Sequence, residues 1–188
     1  MNKTLPLGAF VAILIGVLVA FGVFNRDAAE PQSPAPGEAS YDSTELDLSF
    51  SYAERYEVTL RKDGNAEREW HTLLFMEKDY VAPVGGEGPP TITIQMFPNT
   101  EDLELESWVR SDGRSNFKLA AGEGSLSSTQ VAGEPALAYR YSGLYETSVV
   151  VAAHGGNIYL FSAGWLTLAD PILDDFEQIL RSVQFTQQ

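Results

Sequence analysis

Residues 146–165 read ETSVVVAA (146–153), HGG (154–156) and NIYLFSAGW (157–165), and this stretch decides the fold. Two runs of β-favouring residues flank a histidine and two glycines, the chemistry of a tight hairpin turn. Both runs are apolar on both faces: Val149 and Val151 stand against Val150 and Ala152, and Tyr159 and Phe161 against Ile158 and Leu160. A strand covered on both sides lies between layers. The hairpin is therefore expected at the centre of a sheet, with other elements packed over each face.

Earlier strands are apolar on one face only. Leu46, Leu48, Phe50 and Tyr52 alternate with Asp47, Ser49 and Ser51, and Tyr56, Val58 and Leu60 repeat the pattern, the period of half-buried strands. Asp63-Gly64-Asn65 supplies a turn, Trp70–Met76 a third strand and Thr91–Phe97 a fourth, after a long connection, Asp79–Pro90, rich in glycine and proline. Further strands are expected over Ser125–Val131 and Ala136–Tyr141, around a turn at Gly133-Glu134-Pro135.

Two segments have helical period. Asn99 or Thr100 can cap a helix whose Leu105, Trp108 and Val109 share a face, and Glu101 and Asp102 suit the positive end of its dipole. The second is clearer. Asp170 is placed as N-cap and Pro171 at the first helical position, where its missing N–H costs nothing. Ile172, Leu173, Phe176, Ile179, Leu180 and Val183 then form an apolar stripe. The expected fold class is α+β: an antiparallel six- or seven-stranded sheet with helices packed on its faces, an α/β/α sandwich.

This globular part is expected over residues 45–188. Before it, Leu5–Phe24 is a 20-residue run without a charge. A helix of about 20 apolar residues spans a hydrocarbon core of about 30 Å, whereas the apolar region of a cleaved signal is shorter, about 7–15 residues. Residues 1–26 are therefore read as one transmembrane helix, a retained signal-anchor, against the alternative of cleavage after the small residues Ala20 and Gly22. Lys3 and the α-amino group precede the span, and Arg26 behind it is offset by Asp27 and Glu30. The positive-inside tendency then sets the N-terminus inside and the domain outside, in the plasma membrane. Residues 27–44, with Pro31, Pro34, Pro36 and Gly37, read as a Pro-rich tether.

Composition narrows the function classes. The chain carries a net charge of −14, and residues 41–188 hold 23 acids against 10 bases. Such a field repels phosphate backbones and no basic stripe interrupts it, so nucleic acid is not an expected partner. The chain has no cysteine, which removes disulfides, thiolate metal sites, cysteine nucleophiles and a lipidated N-terminal cysteine.

Catalytic constellations are not evident. There is no Gly-x-Ser-x-Gly elbow, and the only histidines, His71 and His154, lie in a strand and at a hairpin tip. Two imidazoles are too few for a histidine zinc site. Gly85-Gly86-Glu87-Gly88 and Gly122-Glu123-Gly124 fit neither a dinucleotide fingerprint nor a phosphate loop. The acids Glu101, Asp102, Glu104 and Glu106, and again Asp170, Asp174, Asp175 and Glu177, occupy successive helical positions that splay outward, the pattern of a solvated face rather than a converging Ca²⁺ cage. Tyr139, Tyr141, Tyr145, Tyr159, Phe161 and Trp165 gather in the late strands, where packing is favoured over a stacking platform. No metal or cofactor is assigned, and no enzyme activity is expected. The candidate ligand or partner residues are Trp108, at a pocket between sheet and helix, and Tyr80 and Glu87 in the long connection.

The domain resembles the PsbP-like family, whose fold is shared with Ran-binding nuclear import factors and several bacterial envelope lipoproteins. The resemblance covers roughly Asp47–Phe185. It rests on Leu48-Ser-Phe50-Ser-Tyr52 followed by Tyr56-Glu-Val58, on Pro98-Asn99 leading to Glu106-Ser-Trp108-Val109, on Gly133-Glu-Pro-Ala136-Leu-Ala-Tyr139, on Gly156-Asn-Ile-Tyr159, and on Phe176-Glu-Gln-Ile179-Leu-Arg-Ser182-Val-Gln-Phe185. These are packing and turn positions. Ala53 departs from the pattern, standing where the family's opening strand is typically followed by proline. The resemblance implies a binding or scaffolding module, and it carries over no ion ligand. The expected function is thus a membrane-anchored extracytoplasmic module that binds an envelope protein partner; the alternative is a small-molecule or cation carrier.

Overall fold

Ten strands and two α-helices follow one another along the described residues of the computed structural model, which are 36–65, 68–81, 88–120 and 125–186. In order they are β1 (Glu38–Ser43), β2 (Leu48–Ala53), β3 (Tyr56–Asn65), β4 (Arg68–Glu77), β5 (Ile92–Pro98), α1 (Leu105–Ser111), β6 (Ser127–Val131), β7 (Glu134–Ser142), β8 (Glu146–His154), β9 (Asn157–Trp165), α2 (Ile172–Ser182) and β10 (Gln184–Phe185). Two 3-10 turns, Gly113–Ser115 and Phe117–Leu119, follow α1.

Seven strands form one antiparallel sheet in the order β3-β4-β5-β9-β8-β7-β6. The hairpin read from residues 146–165 supplies the middle strand, β9, and its neighbour β8. His154 pairs with Asn157 across the tip, and Gly155 and Gly156 sit at φ +56° and +77°, the left-handed pair that a two-residue turn between right-twisted strands demands.

The two-sided pattern of the hairpin divides into two cores. Val150, Ala152, Tyr159 and Phe161 join Phe50, Phe75, Ile94, Phe176 and Ile179 on one face, under α2 and the small sheet described below. Val149, Val151, Ile158 and Leu160 join Phe97, Trp108, Val109 and Phe117 on the other, under α1 and the 3-10 turns. Each fully buried Phe or Leu contributes about 1.5–3 kcal/mol of transfer free energy, so the hairpin anchors both layers at once. The architecture is an antiparallel, sheet-rich α+β fold with two α-helices.

Part of the expected tether is folded. Residues 38–43 form β1, which pairs with β2 from Glu38↔Ala53 to Ser43↔Leu48. With β10 on the other side of β2 they make a second, three-stranded sheet. Its strength lies in the partner strand: the Tyr41 ring stacks on Phe50 at 5.2 Å, an aromatic contact that composition alone does not reveal. The strand read over Leu46–Tyr52 thus belongs to this small sheet and not to the large one. Residues 27–35 and the anchor at 1–26 lie outside the described residues; among those described, no helix is long and apolar enough to cross a membrane.

Three local readings shift. Asp63-Gly64-Asn65 remains in β3, with Asn65 paired to Arg68; Gly64 has φ +101°, and a Cβ there would meet the Trp70 ring at 2.8 Å. Glu134 and Pro135 open β7 instead of turning, and the left-handed turn residues are Ala132 and Gly133. Pro135 is tolerated because pairing with β8 begins only at Ala136. Asn99 does not cap α1, which starts after Glu104 without a side-chain cap. Its amide instead clamps Leu103, donating from Nδ2 to the carbonyl at 2.9 Å and accepting the N–H at Oδ1 at 3.0 Å. α2 begins one residue later than read, with Pro171 rather than Asp170 at its N-cap position, but Asp170 still holds its start, Oδ1 accepting from Ile172 N at 3.2 Å.

Candidate functional site

α1 lies across β7 and β8 because Trp108 and Val109, adjacent on its face, are buried in the second core. Trp108 is only 2% exposed, and its ring packs on Phe97 with centroids 5.4 Å apart. Beside it opens a cleft of about 130 Å³, lined by Arg68, Asn99, Glu101, Leu103, Asp112 and Arg114 among others.

A cation, Arg114, stands at the cleft and packs over the aromatic cluster behind it. The Arg114 guanidinium lies 4.5 Å from the Phe97 ring, 5.6 Å from Trp70 and 6.0 Å from Trp108, within reach of the ring quadrupoles. Its charge is met by Asp112. Arg114 Nε donates to Oδ1 at 2.8 Å, Nη2 donates to Oδ2, and the Arg114 backbone N–H donates to Oδ1 at 2.9 Å. These bonds hold the Asp112 carboxyl below its usual range, against the opposing effect of burial. Arg68 Nη2 stands 3.7 Å from Glu101 Oε1. The cleft therefore presents paired charges.

A larger opening lies on the same face, between α1 and the β6–β7 hairpin. This groove of about 560 Å³ has Leu105, Ser107 and Arg110 on the helix side and Ser128, Thr129, Pro135 and Leu137 on the strand side. Arg110 Nε bonds Glu106 Oε1 at 2.8 Å on its rim. It runs beside β6, the edge strand of the large sheet.

A third surface is one end of the sheet. There the chain enters the domain: Gly37 accepts from Glu54 N at 3.0 Å, and Arg55 accepts from Lys78 N at 3.0 Å. Tyr80 follows, its N–H donating to Glu77 at 3.2 Å. The end of the long connection is held by Tyr145, whose hydroxyl donates to the Gly88 carbonyl, and by Gly164 N donating to Thr91 at 3.0 Å. Val81, Leu144, Leu166 and Leu168 are exposed on these loops. Tyr80 and Trp108, named together from sequence, thus stand in different neighbourhoods, and Glu87 lies outside the described residues, as does Gly122-Glu123-Gly124.

The remaining candidates resolve into structural contacts. His154 Nδ1 is 2.9 Å from Glu134 Oε1, and its ring stacks on Phe185 at 4.4 Å. His71 Nε2 stands 3.1 Å from Glu45 Oε1, outside hydrogen-bond geometry. Asp175 does not lie on a wholly solvated face: its Oδ2 accepts the Tyr56 hydroxyl at 2.6 Å and pairs with Arg55. The late aromatics are divided by the sheet, Tyr159, Phe161 and Trp165 in one core and Tyr139 and Tyr141 in the other. No cluster of three or more metal-binding side chains occurs among the described residues. Sequence reasoning missed Arg114 and the groove residues Leu105, Arg110, Pro135 and Leu137. The only local signal for the first was the Asp112-Gly113 turn that folds Arg114 back onto Asp112.

No protein-family model and no curated protein matches the chain. Solved structures do. The solution structure of cyanobacterial PsbP (CyanoP) from Synechocystis sp. PCC 6803 is similar over 84% of this chain and 97% of that one, with a TM-score of 0.53 and 13% identity. A crystal structure from Bacteroides thetaiotaomicron VPI-5482 is similar over 79% of this chain, with a TM-score of 0.51 and 11% identity; this chain spans about half, 48%, of its length. At these identities the likeness is one of fold, and it supports the resemblance to PsbP at that level.

Proposed function

We propose that the chain is a non-enzymatic, membrane-anchored binding or scaffolding module, a PsbP-like α/β/α sandwich held outside the cytoplasm by residues 5–24. It engages an envelope protein through the groove between α1 and the β6–β7 hairpin. The observation that carries this reading is the position of the groove of about 560 Å³ alongside an edge strand. An edge strand offers a row of backbone donors and acceptors to an added segment. Leu105, Leu137 and Pro135 give that segment an apolar floor, and Arg110 and Glu106 give it charges of both signs.

The chain's lack of cysteine makes the test direct. A photo-crosslinker is attached to Ser107→Cys or Ser128→Cys in the groove, or to Glu177→Cys on α2 as control, in the full chain in native membranes. One defined adduct from both groove positions and none from the control is the expected result. Equal labelling from all three, or no adduct from a folded bait, would remove the groove from consideration.

The carrier reading keeps one specific support, the Trp108 cleft. Its volume of about 130 Å³ is below the ~300–1,000 Å³ typical of ligand pockets, so it suits at most a small ion or fragment. Native mass spectrometry distinguishes the readings, since a carrier retains a stoichiometric ligand and a scaffold does not.

A further inference from the structure

The large apolar side chains exposed among the described residues are seven, and four of them cluster at one end of the sheet: Val81 at 85%, Leu144 at 64%, Leu166 at 65% and Leu168 at 74%. They come from three connections, after β4, between β7 and β8, and between β9 and α2. The strand pairs Ile92↔Ala163 and Glu146↔Trp165 bring these connections to the same edge. Tyr145 fastens two of them through Gly88.

Two further observations concern this end. The first is charge. In a chain of net −14, the stretches 88–91, 143–145 and 165–169 and the pair Tyr80–Val81, which carry the exposed leucines and Val81, contain no Asp, Glu, Lys or Arg, while Glu54, Arg55, Lys78, Asp79, Glu146 and Asp170 border them. The second is connectivity. Gly37, bonded to Glu54 beside the Arg55–Lys78 contact, enters the domain here, and only residues 25–36 separate it from the apolar run 5–24. Twelve residues reach at most about 40 Å when fully extended.

We infer that this end, with Leu144, Leu166, Leu168 and Val81 at its tip, rests on the lipid surface of the bilayer. This rests on the reading of residues 5–24 as a span. An apolar tip flanked by tyrosine suits the headgroup boundary, where amphipathic rings concentrate. The uncharged stretches that carry these apolar side chains, set among bordering bases as well as acids, let the tip approach a zwitterionic surface with less repulsion than the rest of an acidic domain. A short connection to the span keeps the effective concentration high, so shallow insertion of a few side chains suffices to fix the orientation. The domain then stands on this end, with the sides of the sheet, groove included, directed along the membrane surface.

Because the chain has no cysteine, single thiols report position without background. The full chain carrying Leu144→Cys, Leu168→Cys or, as control, Leu119→Cys on the 3-10 turn after α1 is labelled with an environment-sensitive fluorophore. It is reconstituted into phosphatidylcholine vesicles containing nitroxide-labelled phosphatidylcholine. These leucines are solvent-exposed, so folding is retained, and thermal melts check it. Labels at 144 and 168 are expected to be quenched roughly threefold or more over 119, and Leu144→Asp with Leu168→Cys is expected to abolish the excess. Equal quenching at all three sites overturns the inference. So does a result in which 144 and 168 are shielded only in native membranes and not in pure lipid, which assigns the patch to a protein. Retention of the chain on vesicles after carbonate wash is scored separately. It reports on the span, so its failure is distinguishable from failure of the docking.

Discussion

Tyr159, near the hairpin end of the central strand, donates its hydroxyl to the carbonyl of Leu46 at 3.0 Å, across 113 residues of sequence. This bond ties the large sheet to the approach of β2, and hence to the three-stranded sheet on that face. Phe185 of β10 packs on the same ring with centroids 4.9 Å apart, and His154 stacks on Phe185 in turn. The C-terminal strand, the hairpin tip and the small sheet are therefore held through one tyrosine.

Tyr159→Phe keeps the packing and orphans the Leu46 carbonyl. A buried acceptor left without its donor costs about 1–3 kcal/mol, read by urea denaturation at pH 7. The variant also changes the alkaline limb. Burial pushes the phenol from 10.0 up to about 12, so the neutral form is favoured by folding. Its contribution is complete below pH 10 and is lost as pH rises toward 12. The wild-type chain is expected to lose stability over that window more steeply than Tyr159→Phe. Part of the loss persists in the variant, because burial also raises Tyr139 and Tyr56.

Asp112 governs the acid side. The Arg114 side chain holds its carboxyl below the usual 3.8. Stability from the pair is present above that value and is lost as pH falls through the lower, folded one. Asp112→Asn is expected to cost about 1–2 kcal/mol at pH 7, at the low end for hydrogen bonds to charged groups because the carboxylate is partly exposed. It is also expected to flatten the decline in melting temperature below pH 4. Arg114 would keep its aromatic walls in this variant. Arg114→Lys loses the bidentate fork and is expected to shift Trp fluorescence as well. An unchanged emission spectrum would show that the cation does not shape the aromatic wall.

Ala132 stands at φ +52° beside Gly133 at +84° in the β6–β7 turn. A left-handed L-residue costs roughly 1–2 kcal/mol, so Ala132→Gly is expected to raise the melting temperature by about 2–4 °C. Gly133→Ala should lower it. Calorimetry of the pair decides whether strain or unfolded-chain entropy dominates at this turn.

Legibility in the sequence followed the range of the interactions. The depth of β8 and β9 was readable because two-sided apolar character is a property of the strand itself. α2 was readable from Asp170, Pro171 and the apolar stripe behind them. Pro135 misled because it marks a turn in isolation, whereas its place in β7 depends on where β8 begins to pair. The Arg114 site was not readable: Trp70, Phe97 and Trp108 come from β4, β5 and α1, and no sequence period records a cation between rings. The groove was equally hidden, since Leu105 and Leu137 meet only after α1 crosses the sheet.

β1 gives the sharpest test of where the domain begins. Residues 38–43, EASYDS, contain one large apolar side chain, and the prolines before them lend the whole segment the composition of a linker. Folded, that one side chain stacks on Phe50 at an interplanar angle of 18°, and six pairings to β2 surround it. A linker residue contributes nothing to stability, whereas a stacked pair contributes about 0.5–1.5 kcal/mol beyond its buried area. Tyr41→Ser is therefore expected to destabilise the domain by about 1–3 kcal/mol in chemical denaturation, while Ser40→Ala on the exposed side is neutral. Truncation to residue 44 should cost more than Tyr41→Ser, because it uncovers the edge of β2 along with the Phe50 ring. Equal stability of the full-length and truncated chains would return residues 38–43 to the linker. A loss confined to the truncation, with Tyr41→Ser neutral, would assign the stabilisation to the backbone ladder rather than to the stack.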